Sequence, residues 1–178
     1  MTKNNSPKTY WLLLALAMGL FFLLRLPQVI RGDFAFVFDM GRDHIWVRNM
    51  VELKKPTLIG PWGSLAGVYM GPAWYYFLSF GYILGGGDPR VSVVAVMLAN
   101  AGAMLAGAWF LKKTISLKAG LIFTFIFALS PQNINITTYP FHANMLPVTQ
   151  MVMLIAMFYR RWWLAALASS LNFHFEPA

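Results

Sequence analysis

The chain has 178 residues, 58% of them hydrophobic, 16% aromatic and 11% charged, with a formal charge of +8 and a mean hydropathy of +0.58. A soluble domain so apolar lacks the polar surface to cover itself, so the composition points to a membrane protein. Its basic residues stand at the ends of apolar runs and form no stripe with interleaved aromatics, which excludes a nucleic-acid-binding surface; the absence of cysteine excludes disulfide frameworks and thiolate metal sites.

The first apolar run, 10–24, is long for a signal peptide, and Arg25, Leu26 and Pro27 follow it where a small-residue cleavage site would stand. It reads as an uncleaved signal anchor, the first span near 10–30. Further apolar runs fall at 68–84, 91–111, 119–129, 145–159 and from 162 onward. If all of them crossed from a cytoplasmic N-terminus bearing Lys3 and Lys8, then Lys112, Lys113, Lys118, Arg160 and Arg161 would lie outside, against the positive-inside rule. If 68–84 lies along the outer surface, all seven basic residues become cytoplasmic, and the six acids (Asp33, Asp39, Asp43, Glu52, Asp88 and Glu176) gather outside. The segment "GVYMGPAWYYFLSFGYILGGG" supports this: Gly71 and Pro72 break it, and Tyr69, Trp74, Tyr75, Tyr76 and Tyr82 are aromatics suited to the headgroup region. The expected fold is therefore all-α and polytopic, with spans near 10–30, 91–111, 118–132, 144–159 and 162–178. An external loop of juxtamembrane amphipathic helices, 31–90, follows the first span. The last apolar segment has no closing basic cluster or helix stop, so the chain reads as a fragment, the N-terminal part of a single module.

Charge is concentrated in "FDMGRDHIWVRNM". On a helix from Asp39 to Lys55, at 100° per residue, Trp46, Met50 and Leu53 fall within about 40° of Asp39, and Asp43 shares the same apolar arc. Both carboxylates are thus expected on the buried face, where each needs a partner or a purpose. Asp39 capping the helix and Asp43 pairing with Arg42 or Arg31 is one account; a general base or metal ligand at the membrane surface is the other. Tyr139, His142 and Asn144 lie at the outer mouth of the next helical hairpin. His174 reaches the outer half of the last span, so His44, His142 and His174 share one side. No close helical spacing of His and carboxylate suggests a metal site.

A signal anchor, an acidic motif "FDMGRD", the Pro-led aromatic segment "MGPAWYYFL", a span "RVSVVAVMLANAGAMLAGAWFLKK" and a second motif "YPFHANMLP" together resemble the GT-C membrane glycosyltransferases. The nearest branch is the prokaryotic relatives of protein O-mannosyltransferases and aminoarabinose transferases, of the family 39 type. The resemblance implies transfer of a hexosyl or pentosyl group from a polyprenyl-phosphate-linked donor to a glycan, lipid or protein acceptor at the outer face of a prokaryotic plasma membrane. It makes Asp39 the catalytic carboxylate, with Asp43 as second candidate; Arg42 and Arg90 are the charges best placed to face a phosphate, and His44, Tyr139, His142, Asn144 and His174 are the further candidate substrate-binding residues. The sequence departs from the family where Gly71 stands for a first proline, and where Asn144 stands near an acidic position with no Arg before it. The cofactor is left open, a divalent cation included, and the fragment alone is expected to be inactive. The rivals are a transporter, disfavoured because 91–111 and 145–159 hold no ionisable residue, and a non-catalytic assembly subunit, suggested by small residues in "ANAGAMLAGA".

Overall fold

The computed structural model describes residues 7–63 and 67–176. These form nine α-helices: α1 Pro7–Leu23, α2 Leu26–Arg31, α3 Phe38–Glu52, α4 Ala73–Gly85, α5 Pro89–Thr114, α6 Leu117–Leu129, α7 Pro131–Ile136, α8 Leu146–Phe158 and α9 Trp162–Phe175. A 3-10 turn, His142–Met145, precedes α8. Among the described residues the only strand-like feature is one antiparallel bridge, Trp62 to Tyr69.

Two helical stretches are long and apolar enough to cross a membrane, Lys8–Arg31 with 24 residues and Pro89–Thr114 with 26. At 1.5 Å per residue both exceed the roughly 30 Å hydrocarbon core. The other expected spans are shorter as helices: α6 and α8 have 13 residues and α9 has 14. Pro131 explains the early end of α6. The residue before a proline is pushed out of the helical region, so Ser130 turns extended at ψ 123° and its hydroxyl accepts the Asn133 N–H to start α7.

Side-chain contacts fix an alternating arrangement. Lys112 near the end of α5 lies 4.5 Å over the ring of Tyr10 near the start of α1, so these two run antiparallel. Phe21, Met97, Met104 and Phe127 bring α1, α5 and α6 into one core. The α5–α6 crossing is close because Gly107 and Gly120 face the partner helix: a Cβ on Gly120 would stand 2.6 Å from the Ala108 carbonyl oxygen. Large apolar side chains remain on the outer faces, among them Leu12 (70% exposed), Ile126 (63%) and Phe173 (65%), apolar surface of the kind that marks a membrane or partner contact.

Arg25, between α1 and α2, is fully buried. Among the described residues no carboxylate meets it; Nε donates to Thr137 Oγ1 at 2.7 Å, and Nη1 to the carbonyls of Phe21 and Ala128 at 2.8 and 3.0 Å. Those acceptors belong to the ends of α1, α7 and α6, whose dipoles present partial negative charge, so helix termini replace a counter-ion.

The loop 31–90 holds the two expected helices, α3 and α4. Near 20 Å in length, α4 packs Trp74, Tyr75 and Leu78 into a core with Val47, Met50, Val96, Met145 and Phe175. The headgroup role expected for Trp74 and Tyr75 is thereby corrected, for they are 0% and 3% exposed; Tyr69 and Tyr76 remain outside.

Candidate functional site

The face that α3 buries is Met40, Asp43, Val47 and Met50, a rotation from the predicted arc. Trp46 is 49% exposed and Leu53 59%, because α4 and α5 pack against the Asp43–Val47 line. Asp39 is a second correction: its side chain is 49% exposed, and the N-cap is Val37, without a side-chain cap. In the first turn Asp39 still meets the positive end of the helix dipole.

One guanidinium organises both carboxylates. Arg42 reaches Asp39 Oδ1 through Nη1 at 3.0 Å and Asp43 Oδ1 through Nη2 at 2.9 Å and Nε at 3.0 Å. Asp43 is 2% exposed and accepts further from the Trp74 indole N–H at 3.0 Å and the Tyr75 hydroxyl at 3.4 Å. Burial raises the Asp43 carboxyl above its ordinary value, against the pull of Arg42 and Trp74; burial and the neighbouring Asp43 raise the Tyr75 phenol. Asp43 is thus engaged on both oxygens, while Asp39 opens outward.

It opens into a polar cavity of about 320 Å³, whose walls include Asp39, Arg42, Trp62, Phe141, His142 and Glu176. A small hairpin contributes one wall: Gly60 N–H donates to Met70 O at 3.0 Å and Met70 N–H to Pro61 O at 2.8 Å, which sets Trp62 at the cavity. His142 is 4% exposed. Its Nδ1 donates to the Phe175 carbonyl at 2.6 Å, leaving Nε2 as the acceptor nitrogen. Burial lowers this imidazole to about 4, so at neutral pH it is uncharged, and Glu176 at 3.4 Å faces a neutral ring. Behind Trp62 lies an aromatic cavity of about 260 Å³ with Trp46, Tyr69 and Tyr75 in its walls.

Of the predicted residues, Asp39, Arg42 and His142 meet at this cavity, with Asp43 directly behind. The others are used elsewhere. His44 bonds the Met40 carbonyl at 2.8 Å and Ser92 Oγ at 3.3 Å, tying α3 to α5, and burial lowers its imidazole. Arg90 is held by Asp88 and reaches the Ile30 carbonyl at 3.4 Å. Asn144 donates to the Tyr139 carbonyl at 2.9 Å, and its own carbonyl accepts from Asn100 at 3.0 Å. The Tyr139 ring lies 6.3 Å from Phe141. His174 Nδ1 accepts the Ala73 N–H at 3.3 Å at the start of α4. It packs so tightly that a Cβ on Gly71 would lie 2.2 Å from it, which explains glycine at that position. Sequence reasoning missed Glu176, Trp62 and Phe141 at the cavity, and the indole donor of Trp74. Only Glu176, the lone acid of the C-terminal half, offered a signal.

Among the described residues no three His, Asp or Glu side chains gather to hold a metal ion. No protein-family model matches the chain, and no curated protein or solved structure matches it.

Proposed function

We propose that the chain is part of a polytopic GT-C-type glycosyltransferase, which moves a sugar from a polyprenyl-phosphate-linked donor to an acceptor hydroxyl at the outer face of the membrane. The observation that carries the reading is the division of labour at Arg42: a half-exposed carboxylate, Asp39, at the mouth of a polar cavity, held by a guanidinium that a buried second carboxylate keeps in place. In this reading α1–α2, α5, α6–α7, α8 and α9 cross in alternation. The end bearing Lys112, Lys113, Lys118, Arg160 and Arg161 faces the cytoplasm, and α3 and α4 lie at the outer surface.

Arg42 occupies Oδ1 of Asp39, which leaves Oδ2 for the acceptor. As the acceptor oxygen attacks the anomeric carbon, its proton passes to Asp39. The bond from that carbon to the phosphate oxygen breaks, and its electron pair leaves with the polyprenyl phosphate. Asp43, spent on Arg42, Trp74 and Tyr75, acts by positioning Arg42. Arg90 pairs with Asp88.

The test is Asp39→Asn in the full-length protein, in membranes supplied with radiolabelled polyprenyl-phosphate hexoses and pentoses. Transfer should fall by about 10²- to 10⁴-fold, the usual contribution of a general base, with accumulation in the membrane unchanged. Undiminished transfer would refute the assignment. A transporter or an assembly subunit would yield no transfer in either form.

A further inference from the structure

The α8–α9 hairpin carries a groove that the proposed chemistry does not use. Near its loop a cleft of about 360 Å³ is walled by Val152, Ile155, Ala156 and Leu164, with Tyr159 and Arg161 at its head. Val152 and Leu164 also line a second, apolar cleft of about 250 Å³ that runs on past Leu171 to Phe175. The two clefts share this pair of wall residues. From Arg161 to Phe175 the helix rises about 21 Å, more than the roughly 15 Å depth of one leaflet.

The head of this groove is cationic without compensation. Lys113 Nζ lies 5.5 Å from the centre of the Tyr159 ring and 5.2 Å from that of Trp109, and Tyr159 shares the head of the cleft with Arg161. Among the described residues neither Lys113, Arg160 nor Arg161 has a carboxylate partner: every ion pair of the fold is made by the six acids at the opposite end. Around the mouth, Trp162 and Trp163 are 62% and 69% exposed, as aromatics at a membrane interface are.

We infer that this groove binds one anionic glycerophospholipid, its phosphate between Arg161 and Lys113 and one acyl chain along α8 and α9. Charge complementarity selects this occupant. A second copy of the chain would bring the same uncompensated cations to the mouth, and a soluble anion has no use for the apolar walls. A polyprenyl-phosphate donor would need its phosphate at the other end, near Asp39. The inference rests on the membrane reading and is independent of the transferase chemistry.

The test reconstitutes the full chain in nanodiscs of equal phosphatidylcholine and phosphatidylglycerol, transfers it to mild detergent, and counts retained lipids by native mass spectrometry. One phosphatidylglycerol per chain should be retained in preference to phosphatidylcholine. Arg161→Gln should lower that retention about tenfold. So should Val152→Trp, which fills the groove from a 39% exposed position without changing charge. Lys118→Gln, at the same end but outside the groove, should keep it. Retention by Val152→Trp, an equal loss in Lys118→Gln, equal retention of phosphatidylcholine, or a lipid-free dimer would each overturn the inference. A chain that stays soluble without detergent would overturn the membrane reading, and this inference with it, before any lipid is counted.

Discussion

Arg42 and Asp43 form a buried pair whose two halves should be unequal when removed. In Arg42→Gln the Asp43 carboxylate, 2% exposed, keeps only Trp74 and Tyr75. An uncompensated buried charge of this kind costs about 3–5 kcal/mol. In Asp43→Asn the guanidinium retains Asp39 at 3.0 Å, and the desolvation of a carboxylate disappears, so the net loss should be near that of one hydrogen bond, about 1 kcal/mol. The double variant leaves no isolated charge and should cost about 1–2 kcal/mol, a coupling of about 3 kcal/mol between neighbours. pH supplies an independent check. Burial raises the folded carboxyl of Asp43 above its unfolded value, so the native state keeps the proton longer, and stability falls as pH rises through that window. Without Arg42 the downward pull on this group is gone and the window extends upward. The deficit of Arg42→Gln should therefore be largest at neutral pH and shrink on acidification, as Asp43 takes up its proton. Equilibrium unfolding in mixed micelles, followed by tryptophan fluorescence, measures all four proteins. Equal losses in the two single variants, or a double variant as unstable as their sum, would refute the reasoning.

Three further outcomes follow from the same geometry. His142 is lowered to about 4 by burial from an ordinary value near 6.5; the unfolded chain therefore takes up a proton first, and stability should be lost as pH falls from about 6.5 to 4. The loss should be about 3 kcal/mol, and His142→Gln should flatten it; an unchanged profile in that variant would assign the pH dependence to other groups. Gly71→Ala drives a methyl into the His174 ring and should cost about 1–3 kcal/mol, with His174→Ala restoring most of it; no rescue in the double variant would place the strain elsewhere. Because the chain has no cysteine, single cysteines at the exposed positions Asp33, Asn135 and Ile115 report sidedness through an impermeant thiol reagent in intact cells. Labelling at the first two and protection at the third supports the proposed topology, whereas the reverse pattern would separate Asp39 from the outer face.

The apolar runs and the ends they place together were legible because length and charge at helix termini depend on local sequence alone. The 91–111 run lies wholly within Pro89–Thr114, and 68–84 contains most of the short α4. The small residues of "ANAGAMLAGA" do face inward at Ala101, Ala103, Gly107 and Ala108. Which face of α3 turns inward was not legible. A helical wheel weighs Trp46 and Leu53 as apolar, but the packing partner decides, and Trp74 on α4 offers an indole N–H that only a buried acceptor such as Asp43 satisfies. The candidate site shows the same limit. Polar residues in the right loops were found, but His44, Arg90, Asn144 and His174 bond to nearby backbone or side chains, an outcome that sequence spacing does not distinguish from binding.

The distribution of acids bears on how the cavity would be used. Asp33, Asp39, Asp43, Glu52 and Asp88 each meet an arginine within four residues, pairings that helix and turn geometry arrange locally. Glu176 differs: its ion-pair contact is to His142, which is neutral because it is buried. The cavity and the residue behind it therefore hold three carboxylates, Asp39, Asp43 and Glu176, against the single guanidinium of Arg42. At short range, in surroundings of reduced dielectric, such an excess repels an incoming phosphate by more than it would in water. On the proposed reading the Asp39 side of the cavity thus suits the uncharged acceptor hydroxyl. In that reading the acceptor attacks the anomeric carbon from the Asp39 side, and the phosphate leaves from the opposite face, away from Glu176.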